Sequence, residues 1–352
     1  MAKKEPAFST RQTGFSLVEI MVGLVVSLLV SLVIMQVFAV FEGQKRSSSG
    51  TADAQTNGHI ALYNLQRDVQ LAGYALPIFS SSHSPLQCTD FTPSGTDISP
   101  VSIIDGGTLA GTGTGASDTV IVRYGDAHSG GSPATISSVS SGTVWLLNNA
   151  ACQVGDTAIV SLGSACVFIE NGVSSLTGTT GVTLDTTATI SSGAHLSCLG
   201  HWKTISYAIN AAQQLTRSEN SDAASPKVVE IVSVQAQYGI STTANDNTVS
   251  LWVNATDAWA HPDIAQPNRI KALRVAIVAR NGLPEKETVS FDCDTAQPNK
   301  PNGLCAWVGT TGSPAPLIDL SHLPDWQHYR YRVFSTIIPL RNIVWSKDAF
   351  PA

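Results

Sequence analysis

The stretch that decides the fold is RQTGFSLVEIMVGLVVSLLVSLVIMQVFAVF, residues 11–41. It opens with the end of a short basic leader, which closes at Gly14, and continues as an apolar segment with one acid, Glu19. Residues 20–41 carry no charge. About 20 apolar residues in a helix cross the ~30 Å hydrocarbon core of a bilayer. The segment is therefore predicted to span a membrane.

The acid and the leader both argue against an ordinary export signal. A carboxylate inside a membrane span costs roughly 2.5 to 3.5 kcal/mol, so we expect Glu19 to serve a partner. A secretory signal is cut after its apolar region, whereas a cut between Gly14 and Phe15 would leave the apolar helix on the mature protein. The alternative is a signal anchor in which Glu19 is an interfacial acid.

The hexapeptide GFSLVE, residues 14–19, resembles the class III signal of type IV prepilins. In that signal a membrane aspartyl protease cuts after the glycine, and the new N-terminus is methylated. The resemblance implies that Gly14 precedes the cut, that Phe15 is the methylated N-terminus, and that Glu19 is the fifth mature residue. The leader has a net charge of +2, which the positive-inside rule places in the cytoplasm. Everything after Phe41 is then expected outside.

Composition predicts an exported protein rich in β-strands. Charged residues make up 13% of the 352-residue chain, while Gly, Ser, Thr and β-branched residues are abundant. The length allows one large or two modest domains after the anchor. Loss of the leader would change the net charge from −6 to −8. Nucleic-acid affinity rests on basic residues, so nucleic acid is not expected as a partner.

The six cysteines form no CxxC pair, and an even number in an exported chain favours disulfides over a zinc site. Cys293 and Cys305 flank a short polar loop and are the best local pair. The remaining candidates can pair in three ways that the sequence does not separate: Cys88, Cys152, Cys166 and Cys198.

Periodicity extends the N-terminal helix beyond the apolar segment. Apolar residues recur at helical spacing in residues 60–72, and Gly73 is predicted to cap the helix. Residues 15–72 are therefore expected to form one helix whose second half packs on a globular head. Ser and Gly residues in 47–58 lower helix propensity and predict a bend or local melting there.

The rest of the chain is predicted to be β-rich, with two regions of different character. Residues 77–200 are rich in Ser, Thr and Gly, with short β-like runs. The later region contains stronger strands, at 202–209, 228–238, 248–253, 270–279 and 331–339.

No catalytic or metal-ligating set stands out in the sequence. GDAHSGG, residues 125–131, is superficially like a serine-protease loop, but Asp126, His128 and Ser129 are too close in sequence to form a triad. We find no calcium loop, HExxH, GxGxxG or P-loop motif. The sequence therefore predicts no enzyme, no cofactor and no metal.

Four stretches resemble the PilW family of minor type IV pilins: LQRDVQLAGY (65–74), VVEIVSVQAQYGI (228–240), RIKALRVAIVARNG (269–282, with Trp259) and RYRVFSTIIPLRN (330–342). The resemblance implies an α+β, type IV pilin-like fold, in which a long N-terminal helix packs on a β-rich head. It divides the chain into leader (1–14), membrane or filament-core helix (15–41), second half of the helix (42–76), variable β region (77–200) and C-terminal head (201–352).

The same resemblance implies a low-copy subunit that helps to prime pilus assembly, with Glu19 contributing to subunit assembly. The implied partners are other minor pilins, the major pilin, the prepilin peptidase and the inner membrane. The implied location is the inner membrane with a periplasmic head, and then the pilus surface. A J-type minor pseudopilin of type II secretion, a pilus-tip adhesin and a membrane-anchored secreted enzyme remain as alternatives.

Overall fold

The structure is a computed structural model that describes residues 14–76, 95–106, 117–162, 165–243, 246–260, 269–294 and 303–344. The chain divides into two compact units, residues 1–50 and residues 51–352. We call the second unit the head and describe the two units separately. A long N-terminal helix and a β-rich head are present, as the α+β prediction requires.

The N-terminal helix, α1, runs from Leu17 to Val69. Residues 47–58 are helical throughout, so the predicted melting of this stretch does not occur. Close packing requires glycine at position 58, because a Cβ there would overlap the ring of Phe334. The ring of His59 also contacts Phe334 edge-on, at 4.8 Å between centroids. A residue that weakens the isolated helix thus lets the helix lie close to a strand.

The helix ends three residues earlier than predicted, because its last turn tightens. The N–H groups of Leu71 and Ala72 donate to carbonyls three residues back rather than four. Gly73 then adopts φ +74°, and its N–H donates to Arg123 O at 2.9 Å. Asn342 donates its side-chain amide to the carbonyls of Leu71 (3.4 Å) and Ala72 (3.0 Å). These contacts satisfy carbonyls that a helix end leaves without partners.

The described strands and the second helix follow in chain order. They are β1 (Val101–Ile104), β2 (Thr119–Gly125), β3 (Ala134–Thr135), β4 (Ser138–Ser140), β5 (Thr143–Trp145), β6 (Thr157–Leu162), β7 (Ala165–Ile169), β8 (Val173–Thr177), β9 (Gly181–Leu184), β10 (His195–Gly200), β11 (Trp202–Ile209), β12 (Gln214–Glu219), β13 (Ser225–Val229), β14 (Ile231–Ile240), β15 (Leu251–Val253), β16 (Ile270–Arg280), β17 (Tyr331–Pro339) and α2 (Arg341–Val344).

Within the described residues the strands form four antiparallel sheets. Their orders are β1-β2-β11-β12-β13, β15-β14-β16-β17, β3-β10-β6-β7 and β4-β5-β9-β8. The described strands within residues 77–200 therefore do not form a separate sheet system. β1 and β2 belong with β11 in the five-stranded sheet, while β3 to β10 form the two small sheets.

The main core lies between α1 and two sheets, the five-stranded sheet and the sheet β15-β14-β16-β17, which we call the two larger sheets. Ala54, Ala61, Leu65 and Val69 present one buried stripe of α1. Residues of the five-stranded sheet and of the β14–β16 sheet belong to the same cluster, including Tyr207, Tyr238 and Val275. Full burial of a Leu or Val side chain stabilises a fold by about 1.5 to 3 kcal/mol. The second half of α1 is thus part of the core of the head.

Glu230 breaks the strand that the sequence predicts as one segment, 228–238. Its φ of +57° turns the chain from β13 in one sheet to β14 in the next. An ion pair between its carboxylate and Arg280 Nε, at 2.8 Å, holds this turn. The hydrophobic pattern continues across the break because both flanking strands contribute to the same core.

The two small sheets enclose a second core, which contains the Cys152–Cys198 disulfide. Cys166 is also disulfide-bonded. Cys88 lies outside the described residues. A smaller apolar cluster joins strands of these sheets to β11, and it includes Phe168, Leu199 and Trp202. The short β-like runs predicted in this region thus form two sheets that share a packed core.

Cys293 and Cys305 are joined in the structure, with their Cα atoms 4.8 Å apart and a sequence separation of 12. We expect non-reducing peptide mapping of the exported protein to recover this bridge. On loop-entropy estimates, a Cys293→Ser/Cys305→Ser double variant should lose about 3 kcal/mol of unfolding free energy. Recovery of either cysteine as a free thiol, or bridged to another cysteine, would refute the pairing.

Candidate functional site: the N-terminus of the helix and its attachment to the head

The residues around the predicted cleavage point are exposed and precede the first helical turn. Phe15 is 79% exposed, and α1 begins at Leu17. The carbonyl of Ser16 accepts hydrogen bonds from the N–H groups of Glu19 (3.0 Å) and Ile20 (3.2 Å). A protease would therefore meet a non-helical Gly14–Phe15 bond. Leader residues 1–13 lie outside the described residues.

Gly14 has no structural role within the described part of the chain. A Cβ at Gly14 would meet no atom within 4 Å. No contact with described residues therefore requires glycine here. Any requirement for glycine before the predicted cut therefore does not arise from packing within the described residues.

Glu19 is exposed in the first turn of α1 and forms no ion pair with any described residue. A negative charge at this end of a helix is favoured by the helix dipole. That effect is small compared with the cost of placing the carboxylate among apolar groups. The side chain is thus available to a cation from outside the chain.

The first unit exposes the apolar side chains of α1 along its length. Large apolar side chains from Phe15 to Phe41 are between 46% and 79% exposed. The helix is long and apolar enough to cross a membrane, by length and composition. An exposed apolar surface of this extent marks a membrane or protein contact. The exposed apolar surface of the first unit therefore suits contact with lipid or with protein.

A buried carboxylate attaches the end of α1 to the five-stranded sheet. Asp68 is 2% exposed and accepts hydrogen bonds from Tyr207 Oη and Arg217 Nε, both at 2.8 Å. Burial raises the pKa of Tyr207, and the negative charge of Asp68 raises it further. Glu219 also holds Arg217, at 3.0 Å.

We expect Asp68→Asn to lower the unfolding free energy by about 1.5 to 3 kcal/mol, because it weakens two hydrogen bonds to a buried charge. Thermal or chemical denaturation of the full chain measures this change. The control is Arg67→Gln: Arg67 is largely exposed and 3.5 Å from the same carboxylate, so less than about 1 kcal/mol should be lost. Equal losses in both variants would contradict the anchoring role of Asp68.

A second buried carboxylate, Asp118, joins the two larger sheets. It accepts hydrogen bonds from the N–H groups of Gly106 (3.0 Å) and Ala236 in β14 (2.7 Å). Burial raises the pKa of Asp118 to about 7, and the two donors only partly oppose this shift. The folded state therefore takes up a proton here at a higher pH than the unfolded chain does.

This shift predicts that the folded protein is more stable in mild acid than at pH 7.5. Between the unfolded pKa of about 3.9 and the folded pKa, only the folded state holds the proton, so stability falls as pH rises. Denaturation at pH 5.5 and 7.5 tests this, and Asp118→Asn should reduce the difference. An unchanged difference in the variant would assign the pH dependence to other groups.

The GDAHSGG segment lines a cleft of about 310 Å³ in the head. Asp126, His128 and Ser129 line this cleft together with Asp156 and His201. Ser129 Oγ donates to the carbonyl of Ala151 at 3.3 Å rather than to a histidine. The carboxylate of Asp126 accepts a hydrogen bond from the backbone N–H of His201 at 2.7 Å. The cleft therefore lacks the nucleophile–base contact that acyl-transfer chemistry needs.

Among the described residues, no group of three or more His, Cys, Asp or Glu side chains is arranged to hold a metal ion. Sequence patterns missed the structural roles of Asp68 and Asn342, although both residues lie within the stretches that carry the family resemblance. Their signal was a polar residue at the edge of an apolar pattern. That signal does not reveal which distant strand supplies the partner.

Comparison with known proteins gives matches at both ends of the chain. Residues 9–35 match the prokaryotic N-terminal methylation motif. Residues 206–342 match the family described as Type IV Pilus-assembly protein W. No curated protein matches the sequence. Among solved structures, a type IV-like pilin from Thermus thermophilus is 12% identical, with a TM-score of 0.35, covering 83% of this chain and 96% of that one.

The helix, its methylation motif and the matched head define a type IV pilin-like protein. The resemblance inferred from the sequence is confirmed. Within this class the two matches support a PilW-type minor pilin.

Proposed function

We propose that this chain primes or supports type IV pilus assembly as a minor subunit of a tip or initiation complex. The observation that carries the proposal is the exposed apolar surface of α1 with a single acid, Glu19, in its first turn. A family of pilus-assembly proteins matches the head that is attached to this helix. Such families are structural, and we propose no catalytic activity or cofactor.

The proposed path begins in the inner membrane, with the leader in the cytoplasm and the head in the periplasm. The prepilin peptidase cuts between Gly14 and Phe15, and Phe15 is methylated. The subunit then leaves the bilayer and packs α1 against other minor pilins and the major pilin. Its apolar side chains exchange lipid for neighbouring helices.

Glu19 gives this packing its axial register. The amine created at Phe15 has a pKa of roughly 7.7 to 8.0 and keeps its charge when methylated. At ~4 Å and an effective dielectric constant of about 20, the amine and a carboxylate attract by about 4 kcal/mol. Desolvation offsets much of this gain. The main effect is therefore selection of the subunit offset at which the acid is neutralised.

Deletion of the gene, with complementation by the full chain, tests the proposal. We expect few or no surface pili in the deletion strain and restored numbers after complementation. Secretion and adhesion are scored in the same strains. Loss of protein secretion with normal piliation would favour the J-type pseudopilin, and loss of adhesion with normal pilus numbers would favour a tip adhesin.

A further inference from the structure

Arg274, in the middle of β16, is held by two indole rings. Its guanidinium carbon lies 4.3 Å from the ring centre of Trp307 and 5.8 Å from that of Trp252. Both distances fall within the range of cation–π attraction. Contact with two large rings restricts the rotamers of the arginine and fixes the direction of its donors.

The guanidinium of Arg274 has no acceptor among the described residues. Burial lowers the pKa of Arg274, and no carboxylate opposes this shift. The neighbouring Gln237 does not serve as acceptor, because its buried Oε1 has no hydrogen-bond partner in the described part of the chain. Three other arginines of the head each contact a carboxylate at 2.8 Å: Arg123 with Asp97, Arg217 with Asp68, and Arg280 with Glu230. The partly buried Arg269 donates instead to the carbonyl of Ser241 at 3.0 Å.

The surface beside Arg274 is apolar and open. Ile337 lies directly opposite Arg274 on β17, on the same face of the sheet, and is 52% exposed. Trp252 pairs with Gly239 on β14 and therefore lies on this same face, as the pairing of Gln237 with Arg274 requires. No described strand pairs with the outer edge of β17. Trp and Arg surrounded by apolar side chains is the composition of a protein-interface hot spot.

We propose that Arg274, Trp252, Trp307 and Ile337 form a docking surface for another protein subunit, and that Arg274 binds an Asp or Glu carboxylate of that subunit. A planar guanidinium with free donors binds a carboxylate through two parallel hydrogen bonds. The apolar rim and the open strand edge favour a protein over a free acid or an acidic sugar. The inference rests on the proposed role in pilus assembly, which supplies the partner.

Photo-crosslinking in cells that produce the full chain tests the proposal. Ile337 is replaced by p-benzoylphenylalanine, and the crosslinked protein is identified by mass spectrometry. We expect one protein adduct near an Asp or Glu of the partner, reduced about tenfold by Arg274→Glu. Arg274→Lys, which keeps the charge but loses the planar fork, should reduce it several-fold. Reversal of the partner's acid to Arg should restore the adduct of Arg274→Glu.

Arg332→Glu is the matched control, because Arg332 is an exposed arginine of β17 on the opposite face of the same sheet. It should leave the adduct unchanged. Thermal melting confirms that each variant is folded, and Arg274→Lys decides the result if Arg274→Glu does not fold. An adduct that survives Arg274→Glu, an adduct on sugar or lipid, or no protein adduct would overturn the docking surface. If any of these occurs while Glu19→Val abolishes piliation, only the docking surface is wrong and the assembly role stands.

Discussion

Replacement of Glu19 with valine is expected to yield a protein that is inserted and cleaved normally but absent from pili. Valine removes the carboxylate from the first turn of α1 and leaves the apolar surface from Phe15 to Phe41 unchanged. Membrane insertion should improve slightly, since a charged group no longer enters the bilayer. Assembly should fail, because no group in the variant selects the correct axial offset against a neighbouring N-terminus.

The measurements are pilus counts by electron microscopy and co-purification with the other pilins from cells that carry only the variant. Glu42→Gln is the matched control. Glu42 is the next acid along α1 and is exposed, and within the described part of the chain its one ion pair is with Arg46, at 3.1 Å. An exposed pair of this kind is worth less than about 1 kcal/mol, so piliation should be normal. Normal pilus numbers in Glu19→Val would return Glu19 to the role of an interfacial acid.

The Gly14→Val variant is expected to accumulate as an uncleaved precursor. A protease that draws extended backbone into its site has no room for a side chain beside the scissile bond. The structure separates this effect from misfolding, because a side chain at Gly14 meets nothing within 4 Å. Immunoblotting should show a band larger than the mature protein by the leader, and the pilus count should fall as in Glu19→Val.

A second exposed glycine supplies the control. Gly23 lies in α1, nine residues after Gly14, and a Cβ there also meets nothing within 4 Å. Gly23→Val should therefore be cleaved at the normal rate, whatever its effect on later packing. If Gly14→Val migrates with the mature wild-type protein, glycine is not required at the cut.

Sequence patterns predicted the strands well where the signal is local. The segments 202–209 and 331–339 coincide with β11 and β17. The division at Glu230 was missed, because its positive φ is set by a change of sheet and by Arg280 rather than by the alternation of apolar residues. The membership of β1 and β2 in the sheet of β11 was missed for a related reason. Strand partners distant in sequence leave no local pattern.

The methylation motif at the N-terminal end could be recognised from the sequence because its signal is local. Gly14, Phe15 and Glu19 are proposed to act on other molecules, and their signal lies in a contiguous motif, residues 9–35, rather than in contacts across the fold. Arg274 had no such signal. Its ring contacts with Trp252 and Trp307, and the absence of an acceptor for its guanidinium among the described residues, can be seen only in the folded structure.

The attachment of α1 to the head sets the order in which the protein can fold. The partners of its last turns are made late: Tyr207 follows Asp68 by 139 residues, and Asn342 follows Leu71 by 271. Contacts so distant in sequence form slowly, because a long loop must close first. The stripe from Ala54 to Val69 is therefore synthesised long before its cover. A chain truncated before β17 would therefore not fold into a smaller head. It would leave this apolar stripe exposed and would be prone to aggregate.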